Sequence, residues 1–198
     1  MFRNPVQVYA SIISSFGNNR LKNLYSSFID LKAGPRLLAE GYKSLANKAI
    51  ALNYEDFVNS PENTLRKITN YLEIDFNEKL IQDFTRQDTK GTMGDLTGVK
   101  SYKTIEPDSL DKWKTIFSNN YRKKLILNYI QSLDEETLKI QGYDKDEILS
   151  ELRNLKINYG LCLQDRFDYF YSSLVRHLKL NQFFSKSKNK NEVNFYLS

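Results

Sequence analysis

The chain of 198 residues has one cysteine, Cys162, and one histidine, His177. A single thiol excludes an intramolecular disulfide framework. One thiol with one imidazole leaves no zinc constellation of the usual kind. No run approaches the ~18 consecutive apolar residues that cross a bilayer. The opening, Met1-Phe2-Arg3-Asn4-Pro5, lacks the apolar stretch of a secretory signal. These absences lead to the expectation of a cytoplasmic protein with no transmembrane segment. Glycine is scarce as well, and three of the eight, Gly91, Gly94 and Gly98, fall close together.

What is present is globular. Forty per cent hydrophobic and 27% charged residues exclude a disordered acidic chain or a low-complexity polymer, and the length suits about one domain. The net charge of +5 is unevenly spread. Between Arg86 and Lys124 lie nine basic and five acidic residues, whereas the rest is nearly balanced. The surplus around Lys90, Lys100, Lys103, Lys112, Lys114 and Arg122-Lys123-Lys124 points to an anionic partner. The alternative is a solvated helix face. No nucleic-acid-binding motif accompanies it, so nucleic acid is not the expected partner.

The patterning predicts mostly helices. Asn4 caps a first helix with Pro5 in its first turn. Leu21, Leu24, Tyr25, Phe28 and Ile29 form a stripe that Gly34-Pro35 is expected to end, and Leu38, Tyr42, Leu45 and Ala49 form a second. Residues 50–54 read as a short buried strand. Ser60-Pro61 opens a helix with Leu65, Ile68 and Leu72 on its buried side. Residues 85–107 read as a long loop. Helices carrying Trp113 and Phe117, then Ile126 and Ile130, then residues 144–152, follow. The division expected is a body over 1–157, a long C-terminal helix over 158–185 and a polar, disordered tail over 186–198. On that last helix, Phe167, Phe170, Tyr171, Leu174 and Leu178 share one face. Core packing is its ordinary explanation, and a partner-binding face the alternative.

Three patterns carry chemistry. In Arg3-Asn4-Pro5…Ser11, a guanidinium fork and a hydroxyl two helical turns on suit a phosphate. The structural alternative is a capped helix with a surface arginine. In Lys90-Gly91-Thr92-Met93-Gly94-Asp95, glycines let backbone amides approach an anion beside a point charge. An ordinary flexible loop is the alternative. In Tyr54-Glu55-Asp56-Phe57, an aromatic at a strand's carboxyl end is placed to touch a base or sugar, the alternative being a packed strand–helix corner.

Together and in this order, these elements resemble the PAPS-dependent sulfotransferases. Asp111-Lys112-Trp113-Lys114 and Gly142-Tyr143 are also similar to the C-terminal part of bacterial members. The resemblance covers about residues 1 to 150. It implies a P-loop-like α/β fold, here predominantly helical with one or two short parallel strands, and truncated ahead of the Arg–Ser element. It implies transfer of a sulfuryl group from 3′-phosphoadenosine-5′-phosphosulfate (PAPS) to a hydroxyl or amine of a carbohydrate, lipid or small molecule, without a metal. It further implies that Arg3, Ser11, Lys90 and Gly91 meet the 3′-phosphate and that Tyr54 lies near the adenine. Thr89 stands where cytosolic members carry Arg. The family's 5′-phosphosulfate turn and catalytic base lie upstream of the Arg–Ser element, so no catalytic residue is assigned and the chain alone is expected to be inactive. The alternative function is a non-catalytic helical nucleotide-binding or protein-interaction module derived from that fold.

Overall fold

A computed structural model describes residues 1–45, 48–82 and 110–179. The described chain is predominantly helical. Its helices are α1 (Pro5–Ser11), α2 (Phe28–Leu45), α3 (Tyr54–Asn59), α4 (Pro61–Tyr71), α5 (Lys79–Gln82), α6 (Lys112–Ile116), α7 (Asn120–Ser132), α8 (Glu135–Ile140), α9 (Lys145–Asn154) and α10 (Leu163–His177). No helix is long and apolar enough to cross a membrane.

Side-chain caps start four of these helices, the first at Asn4 as expected. The Asn4 side chain accepts from the Val6 N–H, Asn119 from Arg122, Asp134 from Thr137, and Asp144 from Asp146 and Glu147. Each satisfies amide donors that a helix leaves unpaired at its start. Beyond Ser11, α1 widens into a π-helical turn over Ile12–Phe16 that ends at Gly17. A Cβ on Gly17 would stand 2.4 Å from the Arg20 carbonyl oxygen and 2.5 Å from that of Ile13, so only glycine fits. Asn18 and Asn19 follow in left-handed conformation, which asparagine tolerates better than most residues. The chain then re-enters helix as a 3₁₀ stretch over Leu21–Ser27.

Gly34-Pro35 does not end the second helix: α2 runs through it as one element of 18 residues. Proline has no N–H to give the Leu31 carbonyl four residues earlier, a defect that normally breaks a helix. Here the Tyr129 hydroxyl donates to that carbonyl at 3.0 Å, and the Gln141 amide donates to the Pro35 carbonyl at 2.6 Å. Burial pushes the Tyr129 hydroxyl well above its ordinary pKa, so it stays a donor. The face of α2 that packs inward carries Leu31 and Ala39, while Leu38 and Leu45 are exposed. On α4 the buried positions are Thr64 and Thr69, and Leu72 is exposed.

Extended pairing is minimal. Phe2 bridges Asn53 in parallel, through Phe2 N–H to Leu52 oxygen at 2.7 Å and Tyr54 N–H to Phe2 oxygen at 2.8 Å. A second parallel bridge joins Asn119 and Asn158. Residues 50–53 are therefore a one-bridge segment, with Ala51 exposed rather than buried.

The core joins Val6, Tyr9 and Ile13 to Leu21, Leu24 and Leu31, to Trp113 and Phe117, and to Ile126, Ile130, Leu138 and Leu152. Helix α10 closes it in an unexpected orientation. The helix begins at Leu163, after Cys162 in left-handed conformation, so residues 159–162 are not part of it. The aromatic stripe does share one face, but that face is outward: Phe167 is 67% and Phe170 65% exposed. The inward face carries Asp165, Asp168, Ser172 and Val175. Arg20 grips Asp168 through two hydrogen bonds of 2.6 and 2.8 Å, and Asp168 is 1% exposed. Arg122 and Asn119 bond Asp165 at 2.7–3.0 Å and 2.8 Å. Charge-assisted bidentate bonds of this kind outrank the gain from turning the aromatic face inward, since the carboxylates would otherwise need partners elsewhere.

Two predictions follow from these contacts. Tyr129→Phe should cost about 1–2 kcal/mol in urea unfolding, because it leaves a Leu31 carbonyl oxygen unpaired. Adding Pro35→Ala should recover most of that loss by restoring an N–H donor, whereas strictly additive effects would contradict the pairing. The second concerns pH. The Arg20 guanidinium, with the Leu21 N–H, holds the Asp168 carboxyl below its ordinary value. A carboxyl lowered by folding contributes stability above its unfolded pKa and loses it as pH falls through the folded one. Wild type should therefore lose stability more steeply below about pH 4 than Asp168→Asn, as read from unfolding midpoints across pH.

Candidate functional site

The Phe2–Asn53 bridge organises the corner to which sequence reasoning assigns nucleotide contacts. Each bridged residue is followed at once by a helix start, Asn4-Pro5 on one side and Tyr54 on the other. Arg3 and Tyr54 thus stand side by side, one residue beyond the paired positions. The Arg3 guanidinium lies over the Tyr54 ring, 4.2 Å from its centroid, a cation–π contact that orders both groups. Arg3 Nε also donates to Gln7 Oε1 at 3.3 Å. No carboxylate among the described residues forms an ion pair with Arg3.

Glu55 pins this corner. Its Oε1 accepts from the Asn4 backbone N–H at 2.9 Å and its Oε2 from the Tyr143 hydroxyl at 2.7 Å. Burial, and then the bond to Glu55, raise Tyr143 far above its ordinary pKa, so the hydroxyl remains a donor. Asn53 Nδ2 donates to the Gln141 carbonyl at 3.1 Å. Gly142 beside it adopts φ +85°, and a Cβ there would meet Asn53 Nδ2 at 3.1 Å. Both the positive φ and the close approach select glycine. The Gly142-Tyr143 pair therefore acts as a clamp behind the corner.

Ser11 ends α1, whereas Arg3 lies ahead of the Asn4 cap and outside the helix. Within α1, Gln7 and Ser11 are four positions apart and share a face, and Arg3, ahead of the cap, reaches that face through its bond to Gln7. Gln7 is buried and stands between the other two. The Ser11 side chain is half-buried, and no described contact joins it to Arg3. Tyr54 is the first residue of α3 rather than the end of a strand. Lys90 and Gly91, with the rest of the Lys-Gly-x-x-Gly-Asp element, lie outside the described residues.

A neighbouring cleft of about 420 Å³ lies between α2, α7 and α10, and a second of about 370 Å³ lies beside Arg3. The second is bounded by Phe2, Arg3, Val8, Ile12, Pro35 and Tyr129 among others, and Ser11 does not line it. Leu31 and Tyr129 belong to both clefts and form the wall between them.

Part of the basic surplus is engaged within the chain. Arg122 is spent on Asp165 and on the Asn19 and Ile116 carbonyls. Lys123 donates to the Arg153 and Leu155 carbonyls at 2.7 and 2.9 Å. Lys114 pairs with Asp111 at 2.8 Å. Arg122 and Lys123 thus fasten separate segments, the Lys114–Asp111 pair is exposed, Lys112 and Lys124 are exposed, and Lys90, Lys100 and Lys103 lie outside the described residues. His177 is exposed at the end of α10. No group of acidic, histidine or cysteine side chains among the described residues is arranged to hold a metal.

Sequence reasoning did not single out Glu55 or Tyr143 as partners. The signal lies within the same motif, since Glu55 directly follows Tyr54, but its partner is 88 positions away. Comparison with known protein families, characterised proteins and solved structures finds no match.

Tyr143→Phe and Glu55→Gln should each lower stability by about 1–2 kcal/mol. Their double variant should show a coupling of at least about 0.5 kcal/mol in chemical denaturation. Additive losses would contradict the shared bond.

Proposed function

We propose that this chain is a sulfotransferase-family protein of the P-loop-like α/β type that recognises a 3′-phosphoadenosine nucleotide and uses PAPS as its sulfuryl donor. One observation carries the reading. Arg3 and Tyr54, 51 positions apart, meet at a corner where two parallel-paired segments each turn into a helix. That edge of an α/β unit is where nucleotides collect. On this reading the Arg3 guanidinium donates to the 3′-phosphate, Ser11 adds a hydroxyl donor from the end of α1, and the Tyr54 ring borders the adenine. Lys90 and Gly91 close on the phosphate from the late loop. Glu55 is a positioning residue: it fixes the Asn4 and Tyr54 backbones and so the spacing of the two recognising side chains. Sulfuryl transfer depends on such positioning and on charge stabilisation around the leaving oxygen. The acceptor is a hydroxyl or amine.

The outward aromatic face of α10 favours a second reading, a non-catalytic helical nucleotide-binding or protein-interaction module derived from the same fold. The two part on chemistry. With a segment carrying a 5′-phosphosulfate turn and a catalytic base supplied to the chain, sulfate transfer from PAPS to an added acceptor supports the first, and nucleotide binding without transfer supports the second.

Calorimetry with adenosine 3′,5′-bisphosphate tests the shared site. Wild type should bind it more tightly than adenosine 5′-monophosphate. Arg3→Ala should weaken binding by about tenfold or more, as expected for loss of a charge-assisted phosphate bond, and Ser11→Ala by less. Equal affinity in Arg3→Ala and wild type would falsify the assignment.

A further inference from the structure

The cleft of about 420 Å³ lies beyond the Leu31–Tyr129 wall, apart from the Arg3 corner. Its volume falls within the range that holds small organic ligands. Four aromatic rings line it, those of Tyr9, Phe28, Tyr129 and Tyr169. Tyr9 is buried at the floor, and burial raises its hydroxyl far above the ordinary range. The lining contains two cations, Lys32 and Arg176, and no Asp or Glu. No described carboxylate pairs with either of these cations. Arg176 is held by stacking on Phe28, 3.7 Å from the ring centroid, which orients the guanidinium without neutralising it. Ser172 and Ser173, one turn earlier on α10, and Asn128 on α7 add polar groups to the same lining.

We propose that this cleft binds an aromatic anion, a planar apolar body carrying a sulfonate, sulfate or carboxylate. The rings take the body, since aromatic walls gain most from flat apolar surface. Arg176 takes the anionic group with a fork of donors, and Lys32 supplies a second charge at the rim. A neutral arene forgoes both charges, and a cationic one meets like charge. The site is independent of the nucleotide reading, because neither Arg3 nor Tyr54 contributes to it.

Titration with 2-naphthalenesulfonate, followed by calorimetry and by NMR shifts, tests the proposal. Wild type should bind saturably, with a dissociation constant below about 1 mM, and neutral 2-methoxynaphthalene should bind about tenfold more weakly or not at all. Arg176→Gln should weaken the sulfonate by about tenfold. Asn128→Trp, at an exposed position on the lining, should block the cleft while leaving the circular dichroism spectrum unchanged. Arg3→Ala should bind as wild type does. Absence of saturable binding overturns the proposal. So does retention of wild-type affinity in the Asn128→Trp variant, or a loss produced by Arg3→Ala and not by Arg176→Gln.

Discussion

The Glu55 carboxylate holds together three parts of the chain that sequence distance keeps apart. One oxygen takes the Asn4 amide, at the entrance to α1, and the other takes the Tyr143 hydroxyl, just beyond α8. Its own backbone lies in the first turn of α3. A carboxylate with two aimed donors is a stiff bracket, because charge-assisted bonds are short and directional. The single parallel bridge at Phe2 and Asn53 is too small to hold register alone. With Glu55 on one side and the Asn53–Gln141 bond on the other, the corner is fixed, and Arg3 falls on Tyr54 as a consequence.

The same economy recurs in the helical body. A proline in mid-helix is tolerated because the carbonyl it orphans is adopted by Tyr129, and its own carbonyl by Gln141. The repair also builds the wall that separates the two clefts. Helix α10 is seated by carboxylates rather than by its aromatic residues, with Arg20 and Arg122 reaching out from the N-terminal segment and α7. Arg122 and Lys123, two cations of the basic surplus in the sequence, are thereby used as internal fasteners.

Local features were legible in the sequence, and non-local ones were not. The Asn4 cap and the start of the helix at 144 are read from residue type and position alone, because capping is satisfied within three residues. The predominance of helix and the burial of Ile126 and Ile130 follow from period alone. Gly34-Pro35 misleads because the rescuing donor, Tyr129, is 98 residues from Leu31. The face of α10 misleads for a related reason. Its acids at 165 and 168 with Val175 form as good a stripe as its aromatics, and only the positions of Arg20 and Arg122 decide between them. At the candidate site, Arg3 and Tyr54 are in contact. Ser11 stands at the far end of α1 with no described contact to Arg3, and Lys90 and Gly91 fall outside the described residues.

A guanidinium stacked on a phenol and braced by a distant carboxylate gives the corner its chemical meaning. On the proposed reading it is a receptor for a ribose phosphate, with the base nearby. The most direct measurement is the ¹⁵N–¹H resonance of Arg3 Nε, followed as adenosine 3′,5′-bisphosphate is added to the intact chain. The account predicts a saturable shift of that resonance and of the Tyr54 ring protons, which adenosine 5′-monophosphate does not reproduce. Unmoved Arg3 and Tyr54 signals at saturating nucleotide, or identical shifts with both nucleotides, would contradict it.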